Sequence, residues 1–115
     1  MSFKKLIAWQ KAYELTLDIY RTTKKFPKSN GLALRTQIQK AALSIPANIA
    51  EGYERQHRKE YLQFLCIARG SLGELETYIL LAKDLSYINE KEYDRINDLR
   101  SEVGRLLRGL VKSLS

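Results

Sequence analysis

The sequence predicts an all-α protein, an antiparallel up-down-up-down four-helix bundle, and three observations lead there. Leucine occurs 18 times and valine only twice, and no segment shows the period-two alternation of a half-buried strand. Apolar residues recur instead at spacings of three and four along four long stretches, which places them on one face of a helix. The connections between those stretches are about three to six residues long, and such short links imply antiparallel neighbours. At 115 residues the chain supplies one core and one domain, residues 1–115.

The first helix is expected over about residues 4–24. It carries two apolar stripes side by side, Leu6, Trp9, Tyr13, Leu17 and Tyr20 on one and Ala8, Ala12, Leu15 and Ile19 on the other. Two stripes bury more than one bundle seam requires, so one of them is a surface for another subunit. Pro27 disfavours helical geometry at Phe26 and ends the helix, and Ser29 or Asn30 is placed to cap the next one. That second helix, about 30–54, has the seam Leu34, Ile38, Ala42, Ile45, Ile49 and Gly52. The third, about 58–85, has the clearest repeat, running through Tyr61, Leu65, Ala68, Leu72, Leu75, Ile79 and Ala82 at heptad spacing. Asn89 with Glu92 forms a variant capping box, and the fourth helix, about 90–113, follows with Tyr93, Ile96, Leu99, Val103, Leu106 and Leu110.

Two local features stand out. Pro46 lies inside the second helix, where it removes an amide donor and crowds the carbonyl of Ala42 at a cost of about 3 kcal/mol in a regular helix, so a kink is expected. Beside the seam, Gln37, Ala41, Ser44, Asn48, Glu51 and Arg55 form a stripe of small and polar groups. It reads either as a solvated face or as a hydrogen-bonded contact, within the bundle or between subunits, in which Ser44 and Asn48 satisfy groups freed by the proline. On the third helix Cys66, Gly70, Gly73 and Thr77 line up. Each glycine costs up to about 1 kcal/mol against alanine, so Gly70 and Gly73 together point to the close approach of a neighbouring helix.

Charge is the strongest compositional signal for a partner. Twenty Lys plus Arg against thirteen Asp plus Glu give a formal +7, which suits a polyanion such as nucleic acid. The excess lies in residues 1–40 (+7) and 99–115 (+3), while residues 73–98 are acidic (−4). In an up-down order Lys4, Lys5 and Lys11 share an end with Arg105, Arg108 and Lys112, and Arg55, Arg58 and Lys59 turn there too. These nine are the candidate nucleic-acid-binding residues, because phosphate binding by Lys and Arg needs no exact constellation. Ordinary solvation, with helix-dipole compensation at a C-terminus, is the competing reading.

Other chemistry finds little support. With the one histidine, His57, and no Gly-x-Ser-x-Gly elbow, hydrolase chemistry lacks its parts. Glu54-x-x-His57 is a single half of a di-iron pattern, and Cys66 with His57 does not make a zinc site. The reading is of a protein that is not an enzyme, with no catalytic residue, metal or cofactor. No apolar run approaches the roughly 18 to 20 residues that span a bilayer, and no signal-peptide core opens the chain, so no membrane role and a cytoplasmic location are expected.

Ser44-Ile45-Pro46-Ala47-Asn48-Ile49-Ala50-Glu51-Gly52 resembles the signature of the four-helix-bundle proteins encoded by 23S rRNA intervening sequences. The likeness extends to Leu6–Ala12, Phe26-Pro27, Ile67–Glu76 and Leu85–Ile88, and departs at His57, where family members often carry a serine suited to capping the third helix. This resemblance implies a small bacterial bundle assembled as a ring of five, with no established enzymatic activity. From the apolar and small-residue stripes themselves, Trp9, Tyr13, Ser44, Pro46, Asn48, Glu51, Gly70 and Gly73 are the candidate structural or oligomer contacts. The family is similar to the accessory proteins of diversity-generating retroelements, basic pentameric bundles that bind nucleic acid and work with a reverse transcriptase. RNA or DNA is therefore the favoured partner, and five copies would carry +35, so weak contacts would add. The alternative is a protein-interaction scaffold whose partner is another protein.

Overall fold

The chain opens with a 3-10 turn, Phe3–Lys5, because the Ser2 hydroxyl accepts the Lys4 amide at 3.2 Å. The extended backbone of Leu6 then separates the turn from α1, Ile7–Thr23. Three more helices follow, α2 Leu32–Glu54, α3 Arg58–Asp84 and α4 Glu90–Leu114, with no strand. The computed structural model describes every residue, Met1–Ser115, in a body 44 × 22 × 20 Å. The expected helices are therefore present, with ends displaced by up to three residues.

The starts of the helices differ in how they are capped. Asn89 and Glu92 form a reciprocal capping box on α4, the Glu92 amide donating to Asn89 at 2.8 Å and the Asn89 amide to Glu92 at 2.9 Å. Ser29 and Asn30 do not cap α2. Its cap is Gly31, with no side-chain acceptor, because a Cβ at residue 31 would lie 2.7 Å from the Pro27 carbonyl and the tight turn admits only glycine there. His57 stands at the start of α3 without a side-chain bond. At the end of α3, Ser86 takes φ 63°, and the Tyr87 and Ser86 amides donate to Ala82 and Lys83 at 2.9 Å, the Schellman arrangement that satisfies orphan carbonyls.

Side chains in the core come from Leu15 and Ile19 on α1, Ile38, Ala42, Ile45 and Ile49 on α2, Leu65, Ala68, Leu75 and Ile79 on α3, and Ile96, Val103 and Leu107 on α4. Two expectations change. Of the two stripes on α1, the one with Ala8, Ala12, Leu15 and Ile19 is buried, while Tyr13, Leu17 and Tyr20 face outward. The alanines let α2 come close, and Thr16 and Thr23 on the same side bond to α2. On α4, Leu107 is fully buried with Ile96 and Val103, while Leu106 and Leu110 are half-buried.

Cross-helix pairs set the register. α1 meets α2 at Thr16 with Ala42 and Thr23 with Gln39. α2 meets α3 at Ser44 with Ser71 and Gly52 with Tyr61. α3 meets α4 at Glu76 with Arg100 and Lys83 with Tyr93. α1 and α4 are tied by Arg95, which donates to both Asp18 oxygens at 2.8 and 3.0 Å and to Thr22 at 3.0 Å, and by Lys25 with Glu92. Burial pushes the Glu92 carboxyl up, but bonds from Lys25 and the Asn89 amide, with the charges of Lys25 and Arg95, outweigh it and hold the group below its ordinary value. The bond to Asp18 raises Arg95 against the opposing effect of burial.

Pro46 is buried in a helix that continues through it. The carbonyl it deprives is that of Ala42, and the partner is not Ser44 or Asn48 on the same helix. The Thr16 hydroxyl on α1 lies 3.1 Å from the Ala42 carbonyl and 2.8 Å from that of Ala12, so its proton is shared between them. Thr16→Val keeps the shape and removes the donor, and a buried acceptor left unsatisfied costs about 1–3 kcal/mol. Thr16→Val is expected to lower the urea midpoint accordingly, and to do so much less in a Pro46→Ala background, where the restored amide reaches Ala42. Equal losses in both backgrounds would refute the assignment.

Candidate functional site

One end of the bundle collects cations from three parts of the chain. The Tyr53 hydroxyl donates to the Met1 carbonyl at 2.6 Å, which ties the N-terminal turn to the last turn of α2. Lys4 and Lys5 occupy that turn and are exposed. Lys5 and Arg105 line one groove with Leu6, Leu106 and Leu110. Arg108 and Lys112 follow Arg105 along α4, both exposed, and Arg58 and Lys59 begin α3 beside the end of α2. Arg105 donates to the Ser101 hydroxyl at 3.2 Å, and none of these seven forms an ion pair within the chain.

The remaining two candidates are engaged. Lys11 pairs with Glu14 at 3.5 Å. Arg55 bonds Glu51 at 3.0 Å, reaches Glu60 at 3.5 Å and lies over the Phe64 ring at 5.1 Å. Surface pairs are worth about 0–1 kcal/mol, so a phosphate can compete, but these two are the least free of the nine.

The residues expected at a structural or oligomer contact fall into different environments. Trp9 stacks on Tyr13 with centroids 5.0 Å apart, and Phe3 meets Trp9 edge-on at 5.3 Å. Tyr13 is 49% exposed, and Leu17 and Tyr20 continue the stripe outward. Leu43, 51% exposed, follows the Ala42 that Thr16 touches, so it borders the same face. Ser44 and Asn48 are half-buried: Ser71 on α3 donates to the Ser44 hydroxyl at 2.8 Å, and Asn48 donates along its own helix to the Ser44 carbonyl at 2.7 Å. Glu51 is held by Arg55 and Pro46 is buried.

Gly70 and Gly73 do not mark a close approach within the chain. Both are exposed, and a Cβ built on either meets nothing within 4 Å, so no helix of this chain approaches them. Cys66, on the same stripe, is a free and exposed thiol. The close approach occurs at Gly52, where a Cβ would stand 2.8 Å from the Phe64 Cβ and 3.2 Å from the Tyr61 carbonyl. The signal for it was a glycine within an apolar seam. Tyr61 itself has a buried, unbonded hydroxyl, and burial with the neighbouring Tyr53 pushes its pKa up.

His57, at the same end, is exposed and bonds no hydroxyl or carboxylate, and no three His, Cys, Asp or Glu side chains gather to hold a metal. No helix is long and apolar enough to cross a membrane. A family model described as 23S rRNA-intervening sequence protein matches residues 4–109. The chain belongs to that family. Of the candidate residues, only Lys112 falls outside the part that matches the 23S rRNA-intervening sequence protein family. The chain is also similar to a crystal structure of a protein with unknown function from the S23 ribosomal protein family of Bacteroides thetaiotaomicron VPI-5482. The two are 27% identical with a TM-score of 0.86, over 92% of this chain and 99% of that one. No functionally curated protein matches.

Proposed function

We propose that this member of the family is a non-enzymatic, cytoplasmic, homo-oligomeric bundle that binds RNA or DNA through Lys and Arg contacts to phosphate, with little sequence readout. The observation that carries the reading is the gathering of Lys4, Lys5, Arg105, Arg108 and Lys112, exposed and without ion pairs, at the end where Arg58 and Lys59 also emerge. An antiparallel up-down-up-down order is supported by the cross-helix pairs, in which numbers rise on one helix as they fall on its neighbour. A ring of five, and kinship with retroelement accessory proteins that work beside a reverse transcriptase, follow from the sequence resemblance and favour several weak phosphate contacts acting together. The test is an anisotropy titration of labelled single-stranded and duplex RNA and DNA at low and near-physiological salt, with mass from light scattering. Salt-sensitive binding by an oligomer is expected, and no binding at low salt would overturn the reading.

A specific observation favours the second reading, a protein-interaction scaffold. The outward stripe of Tyr13, Leu17 and Tyr20, flanked by the half-buried Trp9 and bordered by Leu43, is apolar surface that the chain leaves uncovered, and contiguous patches of this kind mark association sites. Trp9→Glu with Tyr13→Glu is expected to reduce the oligomer to smaller species in light scattering. An unchanged mass would remove this stripe as the subunit contact.

A further inference from the structure

Residues 19–50 contain six cations, Arg21, Lys24, Lys25, Lys28, Arg35 and Lys40, and no Asp or Glu. The up-down path carries Arg21, Lys24, Lys25, Lys28 and Arg35 to the other end of the bundle, around the turn between α1 and α2, while Lys40 lies further along α2 in a groove with Glu74. Only Lys25 is neutralised there, by Glu92 across the bundle. The other five make no ion pair and no side-chain hydrogen bond, and all but the half-buried Arg35 are exposed. Acidic groups lie at the same end on the α3–α4 turn, where Asp84, Glu90 and Asp94 are exposed and Glu90 shares a groove with Lys25, yet none of the three pairs with Lys24, Lys28 or Arg35. Lys28 and Arg35 line one groove with Phe26, Pro27 and Leu32, and Lys24 precedes Lys28 by four residues in the same turn.

We infer that this turn is a second phosphate-binding site, in which Lys24, Lys28 and Arg35 contact the backbone of a nucleic acid, so that each bundle holds phosphates at both ends. Three features set it apart from dispersed surface charge. The run is free of acid over its whole length, whereas the first cluster is interleaved with Glu51, Glu54, Glu60 and Glu102. Its turn is tightly closed, since the Gly31 amide donates to the Pro27 carbonyl at 2.8 Å and a Cβ at residue 31 would lie 2.7 Å from that oxygen. Arginine beside an apolar wall presents a planar donor fork to a phosphate with less reorganisation than a free lysine does. The start of α2, with no acidic residue in its first turn, adds partial positive charge to a cluster that stands on its side chains.

The inference rests on the nucleic-acid reading above, and the experiment separates the two. Salt titrations of a labelled single-stranded RNA are compared for wild type, for Lys24→Glu/Lys28→Glu/Arg35→Gln, and for charge reversal at Lys4, Lys5, Arg105 and Arg108. Losing two or three phosphate contacts is expected to flatten the log-log salt slope of the first variant by about 2 units and weaken low-salt binding more than about 10-fold. Oligomer mass and helical circular dichroism should stay unchanged. Lys24→Glu/Lys28→Glu alone, at two exposed positions, provides the same test if the Arg35 change disturbs folding. Wild-type affinity in both turn variants, with loss only in the four-site variant, would overturn the second site and leave the first standing. Failure of wild type to bind would overturn both. Loss of binding to anionic phosphatidylserine vesicles, with RNA binding untouched, would overturn the nucleic-acid assignment of the turn.

Discussion

Reversing charge at Lys4, Lys5, Arg105 and Arg108 together is expected to weaken nucleic-acid binding at low salt on the order of 100-fold or more, and to flatten the salt slope by about 3 to 4 units. Each phosphate contact releases about one counterion, so four lost contacts remove about four steps of salt dependence along with the affinity. The effect should be similar for different sequences of one length, because contacts to phosphate carry no sequence information. All four residues are exposed and none is in an ion pair, so unfolding should move by no more than about 0.5 kcal/mol per site. Binding that persists unchanged in a folded four-site variant would show that the charge at this end is only solvated. Anisotropy with a urea melt on the same preparation reads both quantities.

Gly52→Val is expected to destabilise the fold by about 3 kcal/mol or more, a large part of the 5–15 kcal/mol that holds a domain of this size. A Cβ at residue 52 would stand 2.8 Å from the Phe64 Cβ, 3.0 Å from Tyr61 Cδ1 and 3.2 Å from the Tyr61 carbonyl. Two of those atoms move only with the backbone of α3, so α2 and α3 must part to make room. Alanine already meets that clash, and the extra methyls of valine deepen it. Gly70→Ala and Gly73→Ala provide the contrast: with open space at both positions, each is expected to stabilise the isolated chain by up to about 1 kcal/mol through helix propensity. Urea denaturation separates the two classes, and a Gly52→Val midpoint at or above wild type would contradict the packing described.

Helix number and approximate ends were legible because the apolar period of α3 and the Asn89–Glu92 cap are local signals. The inward face of α1 was not legible, since Trp9-Tyr13-Leu17 and Ala12-Leu15-Ile19 repeat equally well and the choice depends on what α2 presents. Pattern also drew attention to Gly70 and Gly73, where two glycines align, although a glycine's role is set by its neighbour in space. The donor for Ala42 was sought on the same helix, whereas Thr16 lies 26 positions away in sequence. For the cations, the grouping at one end follows from chain order and short loops. The engagement of Lys11 by Glu14 and of Arg55 by Glu51 follows from spacings of three and four that were there to be read.

The Thr16 bond to Ala42 makes the history of two positions interdependent. A chain that first loses the Thr16 hydroxyl while keeping Pro46 passes through a state with a buried carbonyl left bare. One that first exchanges Pro46 regains an amide at that carbonyl, after which residue 16 is free to vary. Of the two mutational routes between a Thr-Pro and a Val-Ala pair, one crosses a barrier in stability and the other does not, so relatives with proline and no hydroxyl should be scarce.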